Sequence, residues 1–67
     1  MKVTRKNIGW YEIELNGRKF EASKQECGTD WNLGEIEDNG YGGEEVREFF
    51  FTGATLKECK QVVKEIA

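Results

Sequence analysis

Hydrophobic and polar positions alternate from residue 10 to residue 15. Trp-Tyr-Glu-Ile-Glu-Leu places Tyr11, Ile13 and Leu15 on one side and Glu12 and Glu14 on the other. A period of two is that of a half-buried strand. Asn16-Gly17 follows, and a two-residue hairpin turn needs positive φ at both positions, which Asn and Gly tolerate. Residues 18–23, Arg-Lys-Phe-Glu-Ala-Ser, then read as the returning strand. Such a turn sets the register. Leu15 faces Arg18, Ile13 faces Phe20 and Tyr11 faces Ala22, while Glu14 pairs with Lys19, Glu12 with Glu21 and Trp10 with Ser23. One face is apolar and the other charged, as a sheet covered on one side requires. The Glu12–Glu21 pair is unfavourable by about a few tenths of a kcal/mol. Lys19, diagonal to Glu12 and next to Glu21, is placed to offset part of that.

Residues 25–30 read as a connection. Trp31 and Leu33 alternate as a third strand, and Gly34 before Ile36 suggests a bulge that breaks the alternation. Asp38-Asn39-Gly40-Tyr41-Gly42-Gly43 is a loop. A fourth strand follows over 46–52, in which simple alternation puts Phe49 and Phe51 on one face and Phe50 on the other. The helix has the sharpest pattern. Thr55 with Glu58 forms a capping box, and Leu56, Cys59, Val62, Val63 and Ile66 fall within an arc of about 120°. The pattern predicts a helix over 55–66, lying on the sheet face that carries Tyr11, Ile13 and Phe20. The expected architecture is α+β: an antiparallel three- to four-stranded meander with one C-terminal amphipathic helix packed across one face.

Size narrows what this architecture can do. Sixty-seven residues form a single domain, 1–67, and a core of this size supplies about 3–5 kcal/mol. An enclosed cofactor cavity would consume that core, so no cofactor is expected and function belongs on the surface. Four Phe, two Trp and two Tyr supply large rings for a compact core. No apolar run approaches the ~20 residues of a membrane span. The charged start, Met-Lys-Val-Thr-Arg-Lys, lacks the apolar stretch of a secretory signal. A cytoplasmic protein without membrane contact is expected.

The net charge of −3 hides an uneven distribution. Residues 26–48 hold eight acids against one base, Arg47. Residues 1–25 hold six bases against three acids, and residues 49–67 hold three against two. An acidic middle of this kind attracts a basic protein surface and speeds encounter, or keeps a sheet edge from aggregating. Within it Glu35, Glu37, Asp38, Tyr41, Glu44 and Glu45 fall within eleven residues. The glycines allow adjustment, the ring can anchor an interface, and the acids can steer a basic partner. Trp10, placed by the register on the charged face, is the second candidate contact. Lys57, Lys60 and Lys64 form a basic helix stripe that nucleic acid could use, although three lysines at that spacing are ordinary on a solvated helix.

Catalysis finds little material. There is no His and only one Ser, Ser23. Cys59 sits in the apolar arc, where a small buried hydrophobe is expected. Cys27 is expected to be more exposed but has Glu26 and Asp30 nearby as well as Lys24, so activation of its thiolate is poor. The acidic Gly-rich loop departs from the EF-hand pattern, because Val46 or Phe49 would stand where a Glu is required. No enzyme activity and no metal site are expected.

Hairpin strands followed by Phe49-Phe50-Phe51-Thr52 and the capped run Thr55-Leu56-Lys57-Glu58-Cys59-Lys60 resemble the three-strand-plus-helix DNA-binding domain at the start of phage-type integrases, also found in plant transcription factors. That resemblance implies DNA reading by the outer sheet face, which is usually basic there. Here the face carries Glu12, Glu14 and Glu21, so no residue role is transferred. In size and charge the whole chain also resembles the very small acidic proteins of bacteriophages, some of which block host defence systems such as CRISPR effectors by occupying a basic nucleic-acid channel. The expectation is a non-enzymatic protein-binding module of the phage-type inhibitor kind, acting on the basic surface of a host defence or nucleic-acid-handling protein. The alternative is a small nucleic-acid-binding module using the Lys stripe, with binding to nucleic acid itself expected to be weak.

Overall fold

The computed structural model describes residues 1–25, 28–38 and 40–67, with Arg47 described in its backbone. Five strands form one antiparallel sheet in chain order: β1 (Lys2–Asn7), β2 (Trp10–Leu15), β3 (Arg18–Lys24), β4 (Trp31–Asp38) and β5 (Glu44–Gly53). One helix, α1 (Leu56–Ile66), closes the chain and packs across the sheet. The fold is the expected α+β meander with one strand more. β1 gives no hydrophobic signal, since Val3 is the single apolar residue in Lys-Val-Thr-Arg-Lys-Asn. It is recruited as an edge by backbone pairing, with Val3 opposite Ile13 and Arg5 opposite Tyr11.

The β2–β3 hairpin has all six expected pairs, from Leu15–Arg18 to Trp10–Ser23. Asn16 and Gly17 hold φ of 54° and 78°, the left-handed values that the two-residue turn demands. Ile13, Phe20 and Ala22 consequently point to one side and are fully buried with Leu33 of β4.

The β4–β5 pair is less regular. Trp31 lies opposite Gly53 and Leu33 opposite Phe51, but Gly34 then lies opposite Phe49 and Ile36 opposite Val46. The expected irregularity at Gly34 is present, and it overturns the simple alternation of the phenylalanines. Phe51 stands beside Leu33 on the helix side, and Phe49 stands beside Gly34 on the outer side. Phe50 meets buried Phe20 edge-on, with ring centroids 6.4 Å apart. β5 carries one surplus residue at each of two register shifts, between Phe51 and Phe49 and between Phe49 and Val46, and each resets the phase of what precedes it. Gly34 is required here by close approach: an added Cβ would collide with Val46 Cγ1 and lie 2.7 Å from the Glu48 carbonyl oxygen and 3.2 Å from Phe49 Cδ1.

Thr55 caps the helix, its Oγ1 accepting the Glu58 N–H at 3.2 Å. The Glu58 carboxylate accepts the N–H of Ala54 at 2.6 Å, one residue before the usual capping-box partner. Cys59 and Val63 are fully buried against Ile13, Phe20, Ala22 and Leu33, and Tyr11, Leu15, Trp31, Phe51, Leu56 and Val62 pack around them. Eleven helical residues span about 16 Å, whereas a ten-residue strand such as β5 can extend to about 33 Å. The helix therefore leaves part of its own side of the sheet uncovered, and among the described residues no element covers the opposite face. Among the described residues no helix is long and apolar enough to cross a membrane.

Candidate protein-binding surface

Arg18 organises the uncovered part of the helix side. Its position just after the turn puts it beside β4 and under the end of α1. Nε and Nη2 donate to the two carboxylate oxygens of Glu35 at 2.9 and 2.8 Å, and Nη1 donates to the Ile66 carbonyl at 2.7 Å. The guanidinium also lies 5.2 Å from the Phe20 ring centroid. One side chain thus ties β3, β4 and the helix C-terminus together, where a cation also favours the helix dipole. Its hydrogen bond and charge hold the Glu35 carboxyl below the ordinary Glu value, against the opposing effect of burial.

Beyond this clamp, Glu35, Glu37, Glu48 and Phe50 line a shallow depression of about 410 Å³. The Phe50 ring is half exposed here. Sequence reasoning places Phe50 on the other face from Phe51; the bulge brings it to the helix side instead. Neither Arg18 nor Phe50 was expected in the candidate surface, and the signal for both lay in geometry: the turn for Arg18 and the bulge for Phe50.

The β4–β5 loop projects from the end of the strand pair. Asp38 Oδ1 accepts the Gly40 N–H at 2.8 Å, and Gly40 and Gly42 take φ of 81° and 82°. Tyr41, held between them, is 94% exposed. Asn39 of this loop lies outside the described residues, as do Glu26 and Cys27.

The outer face carries a second depression, of about 240 Å³, lined by Lys6, Trp10, Glu12, Glu21, Ile36, Glu44, Glu45 and Val46. Trp10 and the Glu44–Glu45 pair, far apart in the chain, line this one feature. Ile36 and Val46 supply apolar wall because they pair across β4–β5 on this side. Lys6 Nζ lies 3.7 Å from Glu12 Oε2, so β1 supplies a base that offsets the Glu12–Glu21 repulsion. Lys19, expected in that role, keeps a favourable charge interaction with Glu12 and also donates to Glu44 Oε1 at 3.3 Å; the Glu44 hydrogen bond and charge, with smaller contributions from Glu12 and Glu14, raise its pKa.

The candidate residues therefore divide among three places. Glu35 and Glu37 border the helix-side depression, Asp38 and Tyr41 form the loop, and Trp10, Glu44 and Glu45 line the outer-face depression. Cys59 is a buried free thiol; burial first and the Glu58 charge second push its pKa up, so the thiolate needed by a nucleophile is disfavoured. Among the described residues, no three His, Cys, Asp or Glu side chains are placed to hold a metal ion. In comparisons with protein-family models, characterised proteins and solved structures, no match to the chain was found.

Proposed function

We propose that the protein is a non-enzymatic binding module that docks the β4–β5 half of its sheet onto a basic surface of another protein. The observation that carries this reading is the concentration of docking chemistry on one strand pair. Glu37, Asp38, Glu44, Glu45 and Glu48 are exposed there, together with half-exposed Phe49 and Phe50 and the projecting Tyr41. The bases Lys2, Arg5 and Lys6 lie on the far edge. Aromatic rings among steering charges supply both buried area and approach rate. The resemblance to small acidic bacteriophage proteins supports the same choice of partner, a nucleic-acid-handling protein with a basic channel, met in the cytoplasm.

The test begins with photocrosslinking from position 41 to identify the partner, followed by binding kinetics. Tyr41→Ala should raise the off-rate, since ordering a Gly-rich loop makes affinity depend on its anchor. Glu44→Lys with Glu45→Lys should mainly lower the on-rate, with an effect that shrinks as salt rises. Duplex DNA serves as the competing ligand. Unchanged partner binding in both variants, with the fold intact by circular dichroism, would remove this surface. Micromolar DNA binding at physiological salt, abolished by Glu at positions 57, 60 and 64, would put the nucleic-acid reading in its place.

A further inference from the structure

We infer that the outer-face depression receives an arginine side chain from the partner protein. The inference rests on the protein-binding reading above and names the chemistry of one contact within it.

The lining has the composition of a guanidinium receptor. Trp10, 44% exposed, stands with Ile36 and Val46 as the apolar part, and Glu12, Glu21, Glu44 and Glu45 supply four carboxylates, of which Glu12 is paired with Lys6 and Glu44 with Lys19 from beside the depression. Register holds Glu12 and Glu21 directly opposite each other. Among the described residues Glu21 has no ion pair, while Glu12 has Lys6. Like charges fixed opposite one another by the backbone repel, and an arriving cation relieves that repulsion without any rearrangement of the sheet. At about 240 Å³ the depression suits a side chain rather than a helix or a strand.

Arginine fits this lining better than lysine. Its planar guanidinium is weakly hydrated, stacks on aromatic surfaces and can engage two carboxylates at once, whereas an ammonium is a compact, strongly hydrated point charge. A second copy of the chain docking through the same face would set the Glu12–Glu21 pairs of the two copies against each other. The complementary occupant is therefore a basic residue of a different protein.

The experiment uses the full chain labelled with 15N at physiological salt, titrated with nona-arginine and, separately, nona-lysine. The Trp10 indole N–H, assigned with Trp31→Phe, should shift and saturate with nona-arginine, and nona-lysine should bind about threefold or more weakly. Glu21→Gln and Trp10→Ala should each lower nona-arginine affinity by about threefold or more; Glu21→Gln is nearly isosteric and guards against misfolding of the Trp10 variant. Glu65→Gln, exposed on α1 away from both depressions, should change it by less than about twofold. Equal binding of both peptides would overturn the choice of arginine. Binding that shifts Phe50 and Glu48 while Trp10 stays still would sink this site yet leave the protein-binding reading standing. No binding of either peptide would count against both.

Discussion

Gly34→Ala tests the junction on which both depressions depend. Gly34 does not use left-handed backbone, so alanine can take its conformation, and the loss of unfolded-state freedom would by itself stabilise by about 0.4–1 kcal/mol. Space decides the outcome. The new methyl meets Val46 Cγ1, the Glu48 carbonyl oxygen at 2.7 Å and Phe49 Cδ1 at 3.2 Å. Two of these atoms belong to side chains that can turn, but the carbonyl moves only with β5. Overpacking of this kind costs about 1–3 kcal/mol, and a backbone obstacle places it in the upper half of that range. The net loss is then about 2 kcal/mol, roughly half of what a core of this size supplies. In a domain of 60–100 residues that lowers Tm by about 8–16 °C. Thermal and urea melts followed by circular dichroism measure it. Val46→Ala combined with Gly34→Ala removes one of the three conflicts, so it should restore only part of the loss attributable to crowding. A Gly34→Ala protein melting within about 2 °C of the parent would refute the bulged register. It would also remove the reason for Phe50 and Phe51 to share the helix side.

Two further predictions concern the core and the clamp. Cys59→Asp should leave little folded protein at 25 °C, because it buries a carboxylate among Ile13, Phe20 and Leu33 without a partner, whereas Cys59→Ala should cost about 1 kcal/mol; equal, small effects in urea titrations would mean that the helix does not dock by this face. The Arg18 hydrogen bonds lower the folded-state pKa of Glu35. Its stabilising contribution is therefore fully present above the unfolded value of about 4.3 and is lost as pH falls through the folded value. Glu35→Gln should lower the urea midpoint at pH 7 and narrow the difference from the parent below pH 4; a difference that persists unchanged at pH 3 would show that the ion pair is not its source.

Hairpin and helix were legible because each is specified locally. Asn16-Gly17 leaves one register for β2 and β3, and a one-residue slip would turn Ile13 and Phe20 out of the core. Thr55 and the five-residue apolar arc specify α1 equally tightly. β1 was not legible, since its pairing uses backbone groups and Val3 offers no period. The faces of Phe49, Phe50 and Phe51 were misread for a different reason. Gly34 announces an irregularity, but which strand carries the extra residue depends on pairing that no local pattern records. The candidate residues were identifiable by type, yet their grouping followed from that same pairing. Trp10 of β2 lines one depression with Glu44 and Glu45 of β5 because these strands belong to a single sheet in chain order, and Glu35 turns inward to Arg18 because odd positions of β4 face the helix.

Edge pairing is a competing way for such a sheet to bind a partner, and the edges themselves speak against it. β1 ends in an irregularity between Arg5 and Asn7 and presents Lys2, Arg5 and Lys6. β5 shifts register twice opposite Leu33, Gly34 and Ile36, and carries Glu44, Glu45 and Glu48. Bulges and charges on an edge strand discourage another strand from adding to it. The opposite charges of the two edges would draw copies together head to tail, and the bulges deny them a continuous ladder once they meet. What the fold leaves open to a partner is side-chain surface: the part of the helix side that α1 is too short to cover, the Tyr41 loop, and the outer face around Trp10. Binding through such surface depends on a few rings and charges rather than on backbone ladders, so single substitutions at Trp10, Glu21 or Tyr41 should be sufficient to weaken it.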